Sequence, residues 1–403
     1  MSQRTQRLLW IILAVIALWL TAVTAGVYVE SRRRSLTAGA AYRLAYTSIQ
    51  EDAQQTPSGQ LLSCDLRGRN VAQLTETNAL DAFAASEPLH VGTTEAGRIA
   101  FLRLQSETQS DPHSSETDVG MLGCVCVVSA TGGEVRKVSG VLTRVWTVAP
   151  SWSPDGKQVA FAAVEDLNSD GRLLIDEVGI YVCDAVGTQC RRIATIGSAV
   201  TGLLWSPAGA QLIVTSIQSD ELVSRLLDAE TGESILDGQA PAACWSPDGM
   251  EIAAYVADDD KVYVLRPDES ESFELDPPPG HLVELLWIRS WPASELTKRG
   301  QLVAVSVPEH ASEPSQLYIR SAQAGAETWE HLTDLDGHVM HVAASPDGRY
   351  LAFTLLTAEP SEASETVPPA DLYLLEIGQK QPVRLTSAPG FEGLATWISL
   401  NTD

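Results

Sequence analysis

Basic residues are scarce in this chain: 27 Lys and Arg stand against 52 Asp and Glu, a net charge of −25. Such a surface repels nucleic acid phosphates and anionic lipid headgroups, so nucleic acid is excluded as a partner. Solubility, or a basic partner, is what the acidity can serve. No HExxH, GxSxG, GxGxxG or Walker A pattern occurs, so no local motif nominates a metalloprotease, serine hydrolase, dinucleotide enzyme or nucleotide hydrolase. The six cysteines form no CxxC and no zinc spacing. Aromatic residues make up only 6% of the chain, yet ten are Trp, and most of these recur in one context. Repetition is therefore the informative feature.

One long apolar run is present. Residues 8–29 read LLWIILAVIALWLTAVTAGVYV, 22 residues without a charge. At about 1.5 Å per residue a helix there spans roughly 30 Å of hydrocarbon. A cleaved signal peptide is the alternative, with a small-residue site near Val23-Thr24-Ala25, but the run exceeds a usual signal core. The expectation is an uncleaved anchor at 8–29, a tail at 1–7 and a linker at 30–41. Arg4 and Arg7 on one side nearly balance Arg32, Arg33 and Arg34 on the other, so flanking charge does not orient it.

From residue 42 one pattern returns. Its clearest copy is Ser151-Trp152-Ser153-Pro154-Asp155-Gly156, followed by Val159-Ala160-Phe161. Others are Trp205-Ser206-Pro207-Ala208-Gly209, Trp245-Ser246-Pro247-Asp248-Gly249 and Ala344-Ser345-Pro346-Asp347-Gly348. Pro presets one turn dihedral, Asp tolerates the next and Gly closes the turn, so each copy reads as a hairpin. The strand after the turn aligns seven times, centred on Ala45, Ala100, Ala160, Ile213, Ala253, Ala304 and Ala352. A third strand follows, such as Ile180-Tyr181-Val182 or Leu372-Tyr373-Leu374, and then a fourth, such as Arg191-Arg192-Ile193. Four antiparallel strands per 40–60 residues make a propeller blade. The expected fold is all-β, a seven-bladed β-propeller over 42–399 preceded by one transmembrane helix. The first blade lacks the strand before its turn. Gly393-Leu394-Ala395-Thr396-Trp397-Ile398 is a spare one, so the C-terminal strand should close the ring and leave no long edge.

The order Trp-Ser-Pro-Asp-Gly, apolar strand, Ile-Tyr-Val-x-Asp, Arg-Arg-Ile resembles the TolB-type propeller repeat, a WD-like family of bacterial envelope proteins. The resemblance covers about 42–399 and implies a periplasmic or cell-surface scaffold that binds proteins or envelope components. This chain departs from TolB in its helical anchor and in having too short a stretch before Tyr42 for an extra N-terminal domain.

One loop carries ligand chemistry. Asp166-Leu167-Asn168-Ser169-Asp170-Gly171-Arg172-Leu173-Leu174-Ile175-Asp176-Glu177 matches the EF-hand calcium loop. Asp166, Asn168 and Asp170 would supply side-chain oxygens, Arg172 its carbonyl and Glu177 a closing carboxylate, with Asp176 as a substitute. The alternative is a solvated acidic hairpin loop. Strands flank it, so bound Ca²⁺ would be structural, with a dissociation constant on the order of 0.1–1 mM as in extracellular modules. Such a site fills where calcium is abundant, which favours an extracytoplasmic propeller.

Cys183 and Cys190 fall on neighbouring strands of one hairpin and could pair as a disulfide. Alignment of Cys183 with Cys64 and Val128 offers an ordinary apolar slot instead. His338 and His341, three apart on an expected strand, should face opposite sides. The long insertions 105–120, 165–179 and 358–370 share one propeller face, a candidate recognition surface or simple loop drift.

These features favour a membrane-anchored, non-catalytic propeller that binds a protein or an envelope polymer. The chain outside the propeller is too short for an added hydrolase domain. The alternative is an enzyme of lyase or hydrolase type with its site in the central channel. It requires His, Arg, Tyr or Glu converging at the start of several first strands, where Val200, Ala242, Val283 and Val342 are read. A spacer or sensor ectodomain would need a cytoplasmic signalling part, and only 1–7 is left for one.

Overall fold

A computed structural model describes residues 42–400 except 52–56, 77–79, 87–96, 105–120, 140–143, 146–147, 166–173, 220, 269–270, 292–298, 309–312, 324, 326–327 and 357–367. The fold is all-β; among the described residues the only helical element is a 3-10 turn at Ile175–Glu177. No helix there is long and apolar enough to cross a membrane. The expected tail 1–7, anchor 8–29 and linker 30–41 lie outside the described residues, as do most of the long insertions.

Each of the aligned triplets falls in the second strand of an antiparallel blade. In one blade Ala199–Trp205, Gln211–Gln218, Glu221–Asp228 and Ser234–Gly238 pair in sequence order. Ala242–Trp245 through Ser272–Leu275, and His281–Ile288 through Glu330–Thr333, repeat it as separate four-stranded sheets. The remaining blades are bridged at one or two residue pairs, such as Gly59 with Leu80, Met121 with Val145 and Ala370 with Phe391. The repeat is that of a β-propeller.

The turn motif acts through side chains. Ser153 Oγ donates to Asp155 at 2.6 Å and accepts from Gln158 N–H at 2.9 Å, while Asp155 accepts from Lys157 N–H at 3.1 Å. Ser246 with Asp248 and Ser345 with Asp347 repeat the arrangement. The closing glycine has a positive φ at Gly156, Gly209, Gly249 and Gly348. At Gly348 a Cβ would also meet Arg289 O at 2.0 Å, so glycine lets the turn lie on the preceding blade.

Blades bury their faces against each other. In Gln158–Val164 the residues Val159, Phe161 and Ala163 pack with Leu102, Val125 and Val127 of the preceding blade. Ala160, Ala162 and Val164 pack with Leu203, Trp205 and Val214 of the next. The two-residue period thus divides each central strand between two cores. Fourth strands are short and exposed, as in Arg136–Lys137 and Val383–Arg384.

The repeat tryptophans rivet blades in two ways. Trp152, Trp245 and Trp397 donate their indole N–H to Ala85 O, Leu204 O and Ala343 O, each on the first strand of the preceding blade, at 2.9, 3.3 and 3.0 Å. Trp205 and Trp287 donate within their own hairpins, to Gly209 O and Arg299 O. The C-terminal strand Phe391–Ser399 pairs antiparallel with Tyr42–Glu51, from Tyr42 opposite Ser399 to Ile49 opposite Phe391. Both ends of the described chain therefore share one blade, as the spare strand implied.

Candidate functional site

Several first strands carry a β-bulge that changes which residues face together. Register slips by one residue between Val200 and Gly202, Leu282 and Glu284, and Val339 and His341. Before a bulge the alternation runs one way, and beyond it the other. His338 stands opposite Leu356 and His341 opposite Thr354, two residues apart on the partner strand. The two histidines therefore share a face, contrary to the expectation from plain alternation.

At the position three residues before the turn-proximal Trp, or Ala344 in the Ser345 blade, most blades hold a small or apolar residue, such as Gly202, Ala242 and Leu394. Two adjacent blades hold Glu284 and His341. His341 Nδ1 lies 3.8 Å from Glu284 Oε1, and the two side chains are 2% and 8% exposed. His341 Nε2 donates to Ala395 O at 3.1 Å, on the first strand of the following blade. Val342 N–H approaches Glu284 Oε1 at 3.4 Å. One polar chain so crosses three successive first strands.

Burial pushes the Glu284 carboxyl well above the usual carboxylate range, against a smaller opposing effect of the Val342 N–H. A carboxyl held towards its neutral form beside an imidazole is an acid–base pair, the kind of group that proton-transfer sites use. Two of the positions expected near the channel, Val283 and Val342, lie one residue from Glu284 and His341, and the bulge in each strand is invisible to alternation. Glu284 was the polar residue missed, and the facing of His341 was misread.

Of the expected calcium ligands, Asp166, Asn168, Asp170 and Arg172 lie outside the described residues. Glu177 is described: it is buried, and its Oε2 accepts the Leu174 N–H at 3.0 Å within the 3-10 turn. Among the described residues no group of three His, Cys, Asp or Glu could hold a metal ion. Cys183 and Cys190 stand opposite each other on paired strands and form a disulfide.

A WD domain, G-beta repeat model matches residues 329–357, which hold the outer strand of one blade and the first hairpin of the next. The chain is 26% identical over 278 residues to the uncharacterized peptidase YuxL of Bacillus subtilis strain 168. That match covers 69% of this chain and 30% of the relative, so the chain spans less than a third of that protein's length. Among solved structures, a chain of the mitotic checkpoint complex is similar at TM-score 0.50 and 17% identity, over 81% of this chain and 91% of that one. TolB from Acinetobacter baumannii is similar at TM-score 0.48 and 13% identity, over 88% of this chain and 82% of that one.

The chain is a WD-like β-propeller, as the TolB-type repeat implied. The expected non-catalytic scaffold is corrected by the peptidase relative. The relative extends well beyond the matched region, so length outside the propeller does not bear on a hydrolase domain.

Proposed function

We propose that this chain is the propeller of a peptidase-type hydrolase and that its first strands receive and orient peptide. The observation that carries the reading is the 278-residue match to a peptidase, long enough to take in several blades. A propeller fold alone argues for no activity. The Glu284–His341 pair adds support, since it places an acid–base set where first strands meet.

In this reading seven blades close into a ring through Phe391–Ser399. First-strand contacts favour that closure: Phe391–Ser399 touches both His338–Ala344 and Leu80–Ser86, and Leu80–Ser86 touches Ser151–Trp152. Residues 8–29 would anchor the propeller on the extracytoplasmic side, and the Cys183–Cys190 disulfide fits such an oxidising compartment. Calcium held by Asp166, Asn168, Asp170, the Arg172 carbonyl and Glu177 would staple the neighbouring loop, although one Glu177 oxygen already serves its own turn.

The test is incubation of the full chain with a fluorogenic peptide panel, reading both hydrolysis and binding by fluorescence anisotropy. Cleavage, or saturable binding weakened by Glu284→Gln, supports the proposal. Neither cleavage nor binding by the folded chain overturns it.

A further inference from the structure

Cys124 and Cys126 are two residues apart on the strand Met121–Ser129, so the two-residue period points both side chains to one face. Their sulfurs lie 3.5 Å apart, and neither is in a disulfide. Cys124 is half-buried and Cys126 buried. Arg103 stands opposite Cys124 in the register, and Lys137 opposite Cys126. Asp81 holds Arg103 in place with two contacts of 2.8 Å. A partly accessible thiol thus faces a fixed cation and has a second thiol directly behind it.

We propose that Cys124 and Cys126 form a peroxide-responsive dithiol switch that closes to a disulfide, with Cys124 as the attacking thiolate, Cys126 as the resolving thiol and a hydroperoxide as the oxidant. The Cys124 thiolate attacks one peroxide oxygen. An S–O bond forms, the O–O bond breaks, and the departing hydroxide takes the proton that Cys124 had lost, leaving as water. Cys126 sulfur then attacks Cys124 sulfur. The S–S bond forms, the S–O bond breaks, and hydroxide leaves with the Cys126 proton as a second water. Two thiols are oxidised by two electrons and one hydrogen peroxide is reduced to two waters.

The division of roles follows the surroundings. The Cys126 hydrogen bond, then Lys137 and Arg103, bring Cys124 down to about 7 against the cost of burial. The same hydrogen bond and burial push Cys126 up. Cys64, buried elsewhere, is pushed up to about 12. Geometry also makes the product labile. Residues two apart on a strand have Cα atoms about 6.6 Å apart, at the far end of the range a disulfide spans, and a strained bond is the more easily reduced.

The test uses the intact chain, mildly reduced, treated with one equivalent of hydrogen peroxide, alkylated and digested for mass spectrometry. The expected product is the peptide holding Cys124 and Cys126 with two hydrogens lost and no alkyl label. In unoxidised protein at pH 7, Cys124 should be alkylated about tenfold or more faster than Cys64, following its larger thiolate fraction. Cys126→Ser should leave a sulfenic acid on Cys124 that dimedone traps, and Cys124→Ser should leave none on Cys126. Should peroxide leave both thiols as fully alkylatable as Cys64 and Cys244 in the wild-type chain, the switch does not exist.

Discussion

Trp397 lies at the seam where Phe391–Ser399 pairs with Tyr42–Glu51, and truncating it tests how much the propeller depends on that seam. Its side chain is among the largest that are fully buried. The ring meets Tyr42 edge-on at 5.9 Å and stacks on Tyr350 at 6.3 Å. Its indole N–H donates to Ala343 O at 3.0 Å. Removing a buried Trp side chain costs about 3–5 kcal/mol, and a stranded carbonyl places this site at the upper end. Folded domains have only about 5–15 kcal/mol in all, so Trp397→Ala should remove a large share. Trp397→Phe keeps most of the ring and loses the donor, and should cost about 1–2 kcal/mol. Urea denaturation gives both values, and amide exchange locates the damage. Protection should fall first in Tyr42–Glu51, the strand paired with Phe391–Ser399. Trp205→Ala is the control: its indole bonds Gly209 O inside its own hairpin, so exchange in Tyr42–Glu51 should stay as in the wild type. A loss below about 1 kcal/mol for Trp397→Ala, or unchanged exchange in Tyr42–Glu51, would refute the seam as a structural necessity.

Glu284→Gln should alter the pH dependence of stability. Because burial raises the folded-state pKa of Glu284, its neutral form is favoured on folding, and wild-type stability falls as pH rises above the ordinary carboxyl value towards the raised one. The variant should gain on the wild type from pH 5 to pH 8 in urea midpoint, and an equal difference at both would contradict the reasoning. Cys190→Ser opens a short disulfide loop and should cost about 2.5 kcal/mol by loop-closure entropy, a difference that dithiothreitol abolishes in thermal melts. Gly348→Ala meets both a positive φ and the Arg289 carbonyl and should cost more than about 2 kcal/mol, whereas Gly97→Ala, with open space around it, should be near neutral in the same melts. If calcium fills the 166–177 loop, chelation should lower the melting temperature and millimolar Ca²⁺ restore it; identical melts in both buffers would leave the loop a solvated hairpin.

The blade was legible because its signals are local. Ser-Pro-Asp-Gly builds its turn from contacts within six residues, so the motif survives as a string. The strand after the turn, central in its blade and buried on both faces, reads as an apolar run such as Val159-Ala160-Phe161. The pairing of Phe391–Ser399 with Tyr42–Glu51 was legible too, because Trp397 repeats a slot otherwise filled by Trp152 or Trp245. The fourth strands were less so. Val383–Arg384 is a two-residue exposed strand with little to distinguish it from loop.

What alternation could not give is the far side of a bulge. A single extra residue at Val283 or Met340 exchanges the faces of everything beyond it while leaving the composition of the strand unchanged. Val283 and Val342, read at the starts of these strands, lie one residue from Glu284 and His341. A signal was nonetheless present. With strands aligned on the repeated turn instead of on their own hydrophobic pattern, Glu284 and His341 fall in one column, beside Gly202 and Ala242. Two polar residues in a column of small or apolar ones, on adjacent blades, are costly to bury unless they face each other, and they do, at 3.8 Å. The pair then has a discriminating test. If it serves only to join blades, Glu284→Gln should leave peptide binding untouched while changing stability with pH. If it orients substrate, binding should weaken at a pH where the variant is as stable as the wild type.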